Sequence, residues 1–309
     1  MSFLEIDSVS KRYNDTRAVS EVSFQVGREE AFALVGPDGS GKTTLMRALC
    51  NLIAVDGGSA TLDGINLFKE FDRAKPIVGY MPQQFSLYPD LSIEENMTFY
   101  AGLHGITGRK YRVRRDQLYE FSNLEPFADR RAGALSGGMK QKLALSCALI
   151  HGPRMLILDE PTTGVDPLSR RQFWEMLGQL KDDGVSILAS TPYMDEVEKT
   201  NRACFIFGGR KLAEGTPQEL TRLFEGAVYA ADIDPAPQLV DKVARIEGLS
   251  AGRFGASLHV YLHKGLDLDQ VAEKLKDAGL AVDQLKNIEP DLEDVFIQQL
   301  TRQQEQPDG

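Results

Sequence analysis

The chain has 309 residues, of which 42% are hydrophobic and 26% are charged, proportions that are ordinary for a folded globular protein. Its formal net charge of −10 argues against an open nucleic-acid-binding face, because such faces need clustered lysine and arginine. No apolar run reaches the roughly 18 residues of a membrane span, so we expect a partner chain to supply any membrane channel.

The first part of the chain alternates apolar strands with helices, which is the pattern of a parallel α/β sheet. Two alternating segments, FLEIDSVSKRY and AVSEVSFQV, predict strands joined by the turn-prone NDT. The apolar segment EAFALVG predicts a short strand, and TLMRALCNLI predicts the helix after it. GGSATLDGINL indicates a further turn and strand, and the apolar spacing then becomes helical from about residue 88 to residue 150.

A phosphate-binding loop is predicted between that short strand and its helix, where the sequence matches the pattern G-x-x-x-x-G-K-S/T. A loop with little side-chain bulk lets backbone N–H groups surround a phosphate, and the helix presents its positive end. We expect Lys42 to neutralise the β- and γ-phosphates of ATP and the Thr43 hydroxyl to bind Mg²⁺. The residues predicted to bind nucleotide here are Gly36, Pro37, Asp38, Gly39, Ser40, Gly41, Lys42, Thr43 and Thr44.

Two carboxylates follow the apolar strand predicted from RMLILDEP. Carboxylates at the C-terminal end of a parallel strand project towards a ligand bound at that edge of the sheet. We predict that Asp159 binds Mg²⁺ either directly or through another ligand of the ion, and that Glu160 polarises the attacking water. The alternative is a solvated acidic pair without a role, which is a weak interpretation beside a phosphate loop. An amphipathic helix, SRRQFWEMLGQLKDDG, and a buried strand, VSILAST, follow.

A third motif, LSGGMKQK from Leu135 to Lys142, precedes the acidic strand and opens a helix. Ser136, Gly137 and Gly138 offer a hydroxyl and unobstructed N–H groups at a helix start, which is a second anion site. With a phosphate loop before it and LILDE after it, the order is highly specific, and nearly the whole chain resembles the ABC ATPases. The resemblance implies an α/β P-loop NTPase core with antiparallel β and helical subdomains.

The same resemblance implies further site residues. In ABC ATPases two ATP-binding domains pack head to tail, so residues 136–138 would contact a nucleotide held mainly by the partner domain. Gln83, in YMPQQ, matches the glutamine loop that links Mg²⁺ and the attacking water to the transport subunit. Tyr13 matches the aromatic residue that stacks on adenine, with a plain strand aromatic as the alternative. Asp166, in TTGVDP, matches a loop that touches the partner domain.

One position departs from the family pattern, which reads S-T-H-Y-M-D-E after the next strand and uses the histidine to contact the γ-phosphate. This chain has Pro192 in place of that histidine, and proline offers neither an N–H nor a side-chain hydrogen-bonding group. We predict that the chain binds ATP well but hydrolyses it slowly on its own. The alternative is that Glu160 and Gln83 suffice for hydrolysis.

The helical stretch that starts near LYPDLSIEENMTFYAGLHG and a later EPDLEDVF segment resemble exporter subunits related to daunorubicin-resistance ATPases. The resemblance implies ATP and Mg²⁺ as ligands and an ABC-2 type permease as partner. It also implies a homodimer or heterodimer of ATP-binding domains, placed peripherally on the cytoplasmic face of the inner membrane. Two alternative functions are an ABC ATPase acting on ribosomes or DNA and a nucleotide-binding regulator without turnover. The first lacks support, because no charged helical linker or long coiled coil is present.

A second domain is predicted after an ABC domain over residues 1–226. Strands from AVYAADI, LSAGRFG, ASLHVYLHK and AVDQLKNI alternate with three helical segments, an order that suggests a small ferredoxin-like α+β domain over residues 227–302. Residues 303–309 are predicted to be a flexible tail. Ligand binding, partner binding and dimer support are the alternatives for this domain, and we favour dimer support.

Overall fold

The computed structural model describes residues 2–84, 86–263 and 265–305. The chain divides into two compact units, Met1–Pro217 and Gln218–Gly309. The domain boundaries inferred from the sequence stay predictions, and residues 306–309 of the predicted tail lie outside the described residues. The earlier part of that tail belongs to the last helix, which ends at Glu305.

The first unit contains two sheets within the described residues. An antiparallel sheet is built from β1 (Ser2–Tyr13), β2 (Thr16–Gly27), β4 (Gly57–Leu62) and β5 (Ile65–Asn66). The second sheet contains β3 (Ala31–Val35), β6 (Val78–Met81), β7 (Met155–Asp159), β8 (Ser186–Thr191), β9 (Arg202–Phe207) and β10 (Arg210–Gly215). Its order is β10-β9-β3-β8-β7-β6, and every neighbouring pair except β10 with β9 is parallel.

The central strands β3, β7 and β8 are buried along their whole length, as expected for parallel strands that are covered on both faces. Their register brings Val35 level with Thr191, and Asp159 level with Ser190. The C-terminal ends of the three strands therefore meet at one edge of the sheet. The parallel α/β arrangement predicted from the sequence is confirmed.

Helices of the first unit are α1 (Lys42–Leu49), α2 (Phe71–Ala74), α3 (Ile93–Leu103), α4 (Gly108–Ser122), α5 (Gly137–Leu149), α6 (Pro167–Asp182) and α7 (Met194–Val197). Ser92 and Glu95 form a reciprocal capping box that starts α3, which satisfies two of the N–H groups left free at a helix start. α4 is followed by Asn123, whose left-handed backbone has φ 56° and ends the helix. Buried side chains from α3, α4, α5 and α6 share one hydrophobic core, so the predicted helical stretch is confirmed.

The second unit has strands β11 (Ala227–Ala231), β12 (Leu249–Phe254), β13 (Ser257–Leu262) and β14 (Lys286–Ile288), with helices α8 (Pro217–Thr221), α9 (Pro237–Ala244), α10 (Leu268–Ala278) and α11 (Leu292–Glu305). The order β12-β13-β11-β14, antiparallel throughout, confirms the ferredoxin-like α+β fold. The predicted strand AVDQLKNI is wrong in its first half, because Val282–Gln284 forms a short 3₁₀ turn. The Gln284 side chain accepts the Ala281 N–H and closes that turn.

Among the described residues, each helix is too short or too polar to cross a membrane.

Candidate functional site

The glycine-rich loop lies between the C-terminal end of β3 and the start of α1, as the sequence predicts. Gly41 immediately precedes α1 with φ 104°, a conformation that L side chains rarely adopt. A Cβ atom at this position would lie 2.2 Å from the carbonyl oxygen of Ala18 in β2. Two independent features therefore require glycine at this position: the backbone angle and the close approach of β2.

Lys42 folds under the loop, and its side chain is almost completely buried. Its Nζ donates to the carbonyl oxygens of Gly36, at 2.7 Å, and Pro37, at 3.0 Å. The same Nζ lies 3.1 Å from Oε1 of Glu160, with side-chain exposures of 2% and 4%. A single buried ammonium thus contacts both the loop and the acidic strand end, which places positive charge where phosphate oxygens would lie.

The carboxylate of Asp159 is connected to two hydroxyl groups. Thr43 donates to Oδ1 at 3.1 Å and Ser190 donates to the same oxygen at 2.8 Å. The other oxygen, Oδ2, is buried without a hydrogen-bond partner among the described residues, and burial raises the pKa of the Asp159 carboxyl. A hard cation is the ligand that carboxylate and hydroxyl oxygens favour. The Asp159–Thr43 pair therefore fits Mg²⁺, which would satisfy Oδ2 and stabilise the ionised form.

Glu160 is held by groups from two other strand ends. Gln83, just after β6, donates from Nε2 to Oε2 at 2.8 Å, and the Thr163 hydroxyl donates to the same oxygen at 3.2 Å. The Glu160 N–H donates to the Ser190 hydroxyl at 2.9 Å. Its backbone has φ 48°, a left-handed conformation that costs about 1–2 kcal/mol outside glycine. Strain of this kind accumulates at functional sites.

These groups surround one cavity of about 190 Å³. Loop residues line it together with Ala18, Gln83 and Glu160, while Asp159 lies behind Thr43. The structure therefore brings together the loop, the acidic strand end and the glutamine, which come from three separate stretches of sequence. Their assignments as ATP, Mg²⁺ and water ligands stay predictions.

Signature residues 136–138 do not line this cavity among the described residues. Ser136 caps α5 by accepting the Met139 N–H at 3.3 Å, and Asp166 caps α6 by accepting the Ser169 N–H at 3.0 Å. A Cβ at Gly138 would lie 2.6 Å from the Ser169 hydroxyl oxygen, so the two helix starts pack closely. They form a second surface, separate from the loop cavity, as contact with a partner's nucleotide would require.

Tyr13 lies at the end of β1 and pairs with Thr16 across the hairpin. Its side chain is 46% exposed, and the Lys11 ammonium lies 5.4 Å from the ring centroid. The ring is accessible for stacking but does not line the loop cavity. The adenine-stacking role of Tyr13 stays a prediction.

Ser190 is a site residue that the sequence reasoning did not single out. Its one hydroxyl donates to the Asp159 carboxylate and accepts from the Glu160 backbone N–H, so it ties the Asp159 carboxylate and the Glu160 backbone to the neighbouring strand. The available signal was its position at the end of VSILAST, a predicted strand next in sequence to the acidic one. The missing information was that β7 and β8 are direct neighbours in register.

The segment around Pro192 is held by a second buried carboxylate. Thr162 and Thr191 both donate hydroxyl hydrogens to Glu196, and burial raises the pKa of that carboxyl. Thr191 also accepts the Tyr193 N–H at 3.0 Å. The turn at Pro192 is therefore shaped by flanking residues, with no contribution from a histidine.

Comparisons with known proteins agree on one family. The family model described as "ABC transporter" matches residues 19–163. The chain is 37% identical over 299 residues to the probable multidrug ABC transporter ATP-binding protein YbhF of Escherichia coli, covering 95% of this chain and 51% of that protein. It therefore spans about half the length of that relative. It is also 37% identical over 312 residues to the Nod factor export ATP-binding protein I of Rhizobium etli, covering 99% and 95% respectively.

Solved structures give the same result for the fold. An ATP-binding subunit of an ABC transporter matches with a TM-score of 0.64 and 29% identity, over 72% of this chain and 92% of that one. A dimeric ATP-binding cassette in a post-hydrolysis state, bound to ADP and Pi, matches with a TM-score of 0.62. At 24% identity over 69% of this chain and 98% of that one, the second match concerns the fold alone.

Proposed function

The chain belongs to the ATP-binding subunits of ABC transporters, and we propose that it hydrolyses Mg-ATP to power an ABC-2 type exporter from the cytoplasmic face of the cell membrane. One observation carries the proposal: Lys42, Glu160 and Gln83 meet at the same cavity, beneath a glycine loop at the sheet edge. The export role is supported by the relatives, whose names concern multidrug and Nod factor export. We extend this to hydrophobic cargo such as a drug or lipid.

The proposed reaction uses each of these side chains in a separate task. Lys42 neutralises the negative charge of the transferred phosphoryl group, and Glu160 accepts a proton from the attacking water. The water oxygen bonds to the γ-phosphorus while the bond to the bridging oxygen breaks, which leaves ADP and phosphate. Gln83, already bonded to Glu160, orients the water. Mg²⁺, when bound at Asp159 and Thr43, stabilises charge on the phosphate oxygens.

We propose that two ATP-binding domains are needed for turnover. Residues 136–138 offer a capped helix start on a surface away from the loop cavity. Such a helix start attracts anions but cannot serve the nucleotide held by its own loop from that position. A second copy or a sister subunit placed head to tail brings this surface onto the γ-phosphate of the neighbour.

Dimer closure gives the test. We expect Mg-ATP to shift the Glu160→Gln variant to a faster-sedimenting dimer in analytical ultracentrifugation, because the variant retains bound ATP instead of hydrolysing it. EDTA should reverse the shift, and Glu120→Gln, an exposed change on α4, should behave as wild type. If the Glu160→Gln chain sediments identically with and without Mg-ATP, the transport-motor proposal is wrong.

A large groove in the first unit supports pairing with a membrane subunit. Its volume is about 1040 Å³, and we call it the docking groove. Its lining includes Phe71, Lys75, Tyr80, Leu103, Arg114 and Cys147. One turn of an α-helix with its side chains occupies roughly 400 Å³, so the groove accommodates about two turns of a short helix from a partner.

The docking groove and the nucleotide cavity share one stretch of chain. Gln83 lines the nucleotide cavity, while Pro82, Ser86 and Leu87 line the docking groove. The Tyr100 hydroxyl of α3 donates to the Ser86 carbonyl at 3.2 Å, which ties this stretch to the helical subdomain. We propose that nucleotide-dependent movement reaches the membrane subunit through these residues.

Pro192 provides a test of how active the isolated chain is. We expect Pro192→His to raise steady-state phosphate release by at least about tenfold, because a γ-phosphate donor that acts in the transition state is worth on the order of 10²–10³ in rate. Wild type and variant are compared at saturating Mg-ATP, with Pro192→Ala as the control for loss of the proline ring. Equal turnover of all three proteins would show that the missing histidine does not limit the rate of hydrolysis. ATP binding without any turnover would favour the alternative function, a nucleotide-binding regulator.

A further inference from the structure

The C-terminal end of β8 holds three parts of the candidate site together. The Thr191 carbonyl accepts the N–H of Gly36, the first residue of the phosphate loop, at 3.3 Å. One residue earlier, the Ser190 hydroxyl accepts the Glu160 N–H at 2.9 Å and donates to Asp159 Oδ1 at 2.8 Å. A single strand end therefore fixes the phosphate loop and both acidic residues relative to one another.

Glu160 depends on this hydroxyl because the chain leaves the sheet at Glu160. β7 ends at Asp159, which lies level with Ser190 in the ladder, and Glu160 then adopts a left-handed backbone with φ 48°. Glu160 is only 4% exposed, and a buried backbone N–H that lacks a partner is costly. The Ser190 hydroxyl accepts this N–H where regular strand pairing stops, so it sets the direction in which the Glu160 side chain leaves the strand.

The Asp159 carboxylate orients the Ser190 hydroxyl for this task. A serine hydroxyl has one hydrogen to donate and two lone pairs that accept. Because the hydrogen of Ser190 is donated to Asp159 Oδ1, its lone pairs remain for the Glu160 N–H. Burial raises the pKa of the Asp159 carboxyl, and the hydroxyl donors Ser190 and Thr43 oppose that rise. The arrangement therefore favours an ionised Asp159 and a fixed acceptor for the Glu160 N–H.

The opposite end of β8 contains a chemically similar serine away from the candidate site. The Ser186 hydroxyl accepts the Glu29 N–H at 2.9 Å, and Glu29 also has a left-handed backbone, with φ 55°. Ser186 and Ser190 are 1% and 0% exposed, so neither hydroxyl is replaced by bulk water. Both serines support a left-handed glutamate, which makes Ser186 a matched reference for the structural part of the role of Ser190.

We propose that Ser190 is a positioning residue for ATP hydrolysis, which holds the Glu160 carboxylate on the attacking water by fixing the Glu160 N–H. The proposal rests on the general-base role proposed for Glu160 and adds the residue that aims this base. Ser190 is not among the described residues that line the nucleotide cavity, so it acts through the group that it holds. Misplacing a reacting group by about 1 Å costs on the order of 10² in rate.

Steady-state phosphate release by the full chain measures the effect. We expect Ser190→Ala to lower kcat by about tenfold or more, while the KM for Mg-ATP stays within about threefold of wild type. Ser186→Ala loses the same kind of buried hydrogen bond and serves as the control. The two variants should lower the urea midpoint of unfolding by similar amounts, whereas Ser186→Ala should retain wild-type kcat. If Ser190→Ala does not fold, Ser190→Cys takes its place with the same expectation, because a thiol is a weak hydrogen-bonding group.

A double substitution tests whether Ser190 acts through Glu160. In the Glu160→Gln background, Ser190→Ala should leave the residual single-turnover rate unchanged, because the base that Ser190 aims is already absent. Equilibrium binding of Mg-ATP should agree within about threefold between Glu160→Gln and the double variant. A further fall in rate or a larger loss of binding in the double variant would assign Ser190 a general structural role and overturn the inference.

The single variants separate failure of this inference from failure of the proposed function. Wild-type kcat in Ser190→Ala, or an equal loss of kcat in Ser186→Ala, overturns the inference while the proposed function stands. Wild-type turnover in Glu160→Gln, or absence of turnover in the wild-type chain, removes the general-base role and overturns both.

Discussion

Replacing Glu160 with glutamine is expected to lower the steady-state rate of ATP hydrolysis by about 10²–10⁴-fold, the range typical for loss of a general base. The amide is nearly isosteric and keeps an oxygen to accept the hydrogen bonds that Gln83 and Thr163 now donate. It cannot take a proton from water, and it removes the negative partner of Lys42. Phosphate release at saturating Mg-ATP measures the effect.

Measurements of ATP binding distinguish loss of the general base from loss of nucleotide affinity. Glu160→Gln should bind Mg-ATP at least as tightly as wild type, because the Lys42 ammonium no longer has a competing carboxylate 3.1 Å away. Glu175→Gln, an exposed change on α6, serves as the control and should retain wild-type turnover and binding. A Glu160→Gln protein with more than about a tenth of wild-type turnover would contradict the general-base role.

A methyl group at Gly41 is expected to cause a large loss of stability. Its Cβ would lie 2.2 Å from the Ala18 carbonyl oxygen, in a backbone with φ 104°, so either the loop or β2 must move. We expect Gly41→Ala to lower the free energy of unfolding by about 3 kcal/mol or more, in the range of mutations that force a backbone shift. Denaturant unfolding without nucleotide measures the change.

Gly39 supplies a matched control in the same loop. It also has a positive φ, 77°, but a Cβ there would meet nothing within 4 Å. Gly39→Ala should therefore cost only the left-handed strain, about 1 kcal/mol. Equal losses of stability in the two variants would show that backbone angle alone, and not the approach of β2, makes glycine necessary at position 41.

The motifs of the candidate nucleotide site could be recognised from the sequence because they are local, while the roles of their residues stay predictions. The order of Gly36–Thr43, LSGGMKQK and LILDE needs no tertiary information, and the family and fold class inferred from it are confirmed. The geometry between motifs could not be predicted in the same way. The shared hydroxyl of Ser190 depends on the register of β7 with β8, and no periodicity in either strand encodes that register.

The docking groove was also beyond sequence reasoning. Its lining comes from α2, β6, α3, α4, α5 and the segments between them, and Arg114 lies in a helix where an arginine ordinarily indicates a solvated face. Only the packing of α4 against α5 reveals that this guanidinium contacts the Leu149 carbonyl. Strand β14 is shorter than the apolar pattern of AVDQLKNI predicts. The Gln284 side chain accepts the Ala281 N–H, and this local hydrogen bond favours a turn over an extended backbone.

The stretch from Pro82 to Leu87 has a thermodynamic consequence. Gln83 donates a hydrogen bond to Glu160 at the nucleotide cavity, while Pro82 and Leu87 line the docking groove. A chain of so few residues spans no more than about 20 Å. Under the proposed function, the change that nucleotide binding makes in the affinity of the docking groove for its occupant equals the change that the occupant makes in the nucleotide affinity, because linkage between two binding events is reciprocal. A membrane partner bound in the docking groove would then regulate nucleotide binding as strongly as the nucleotide regulates binding of the partner.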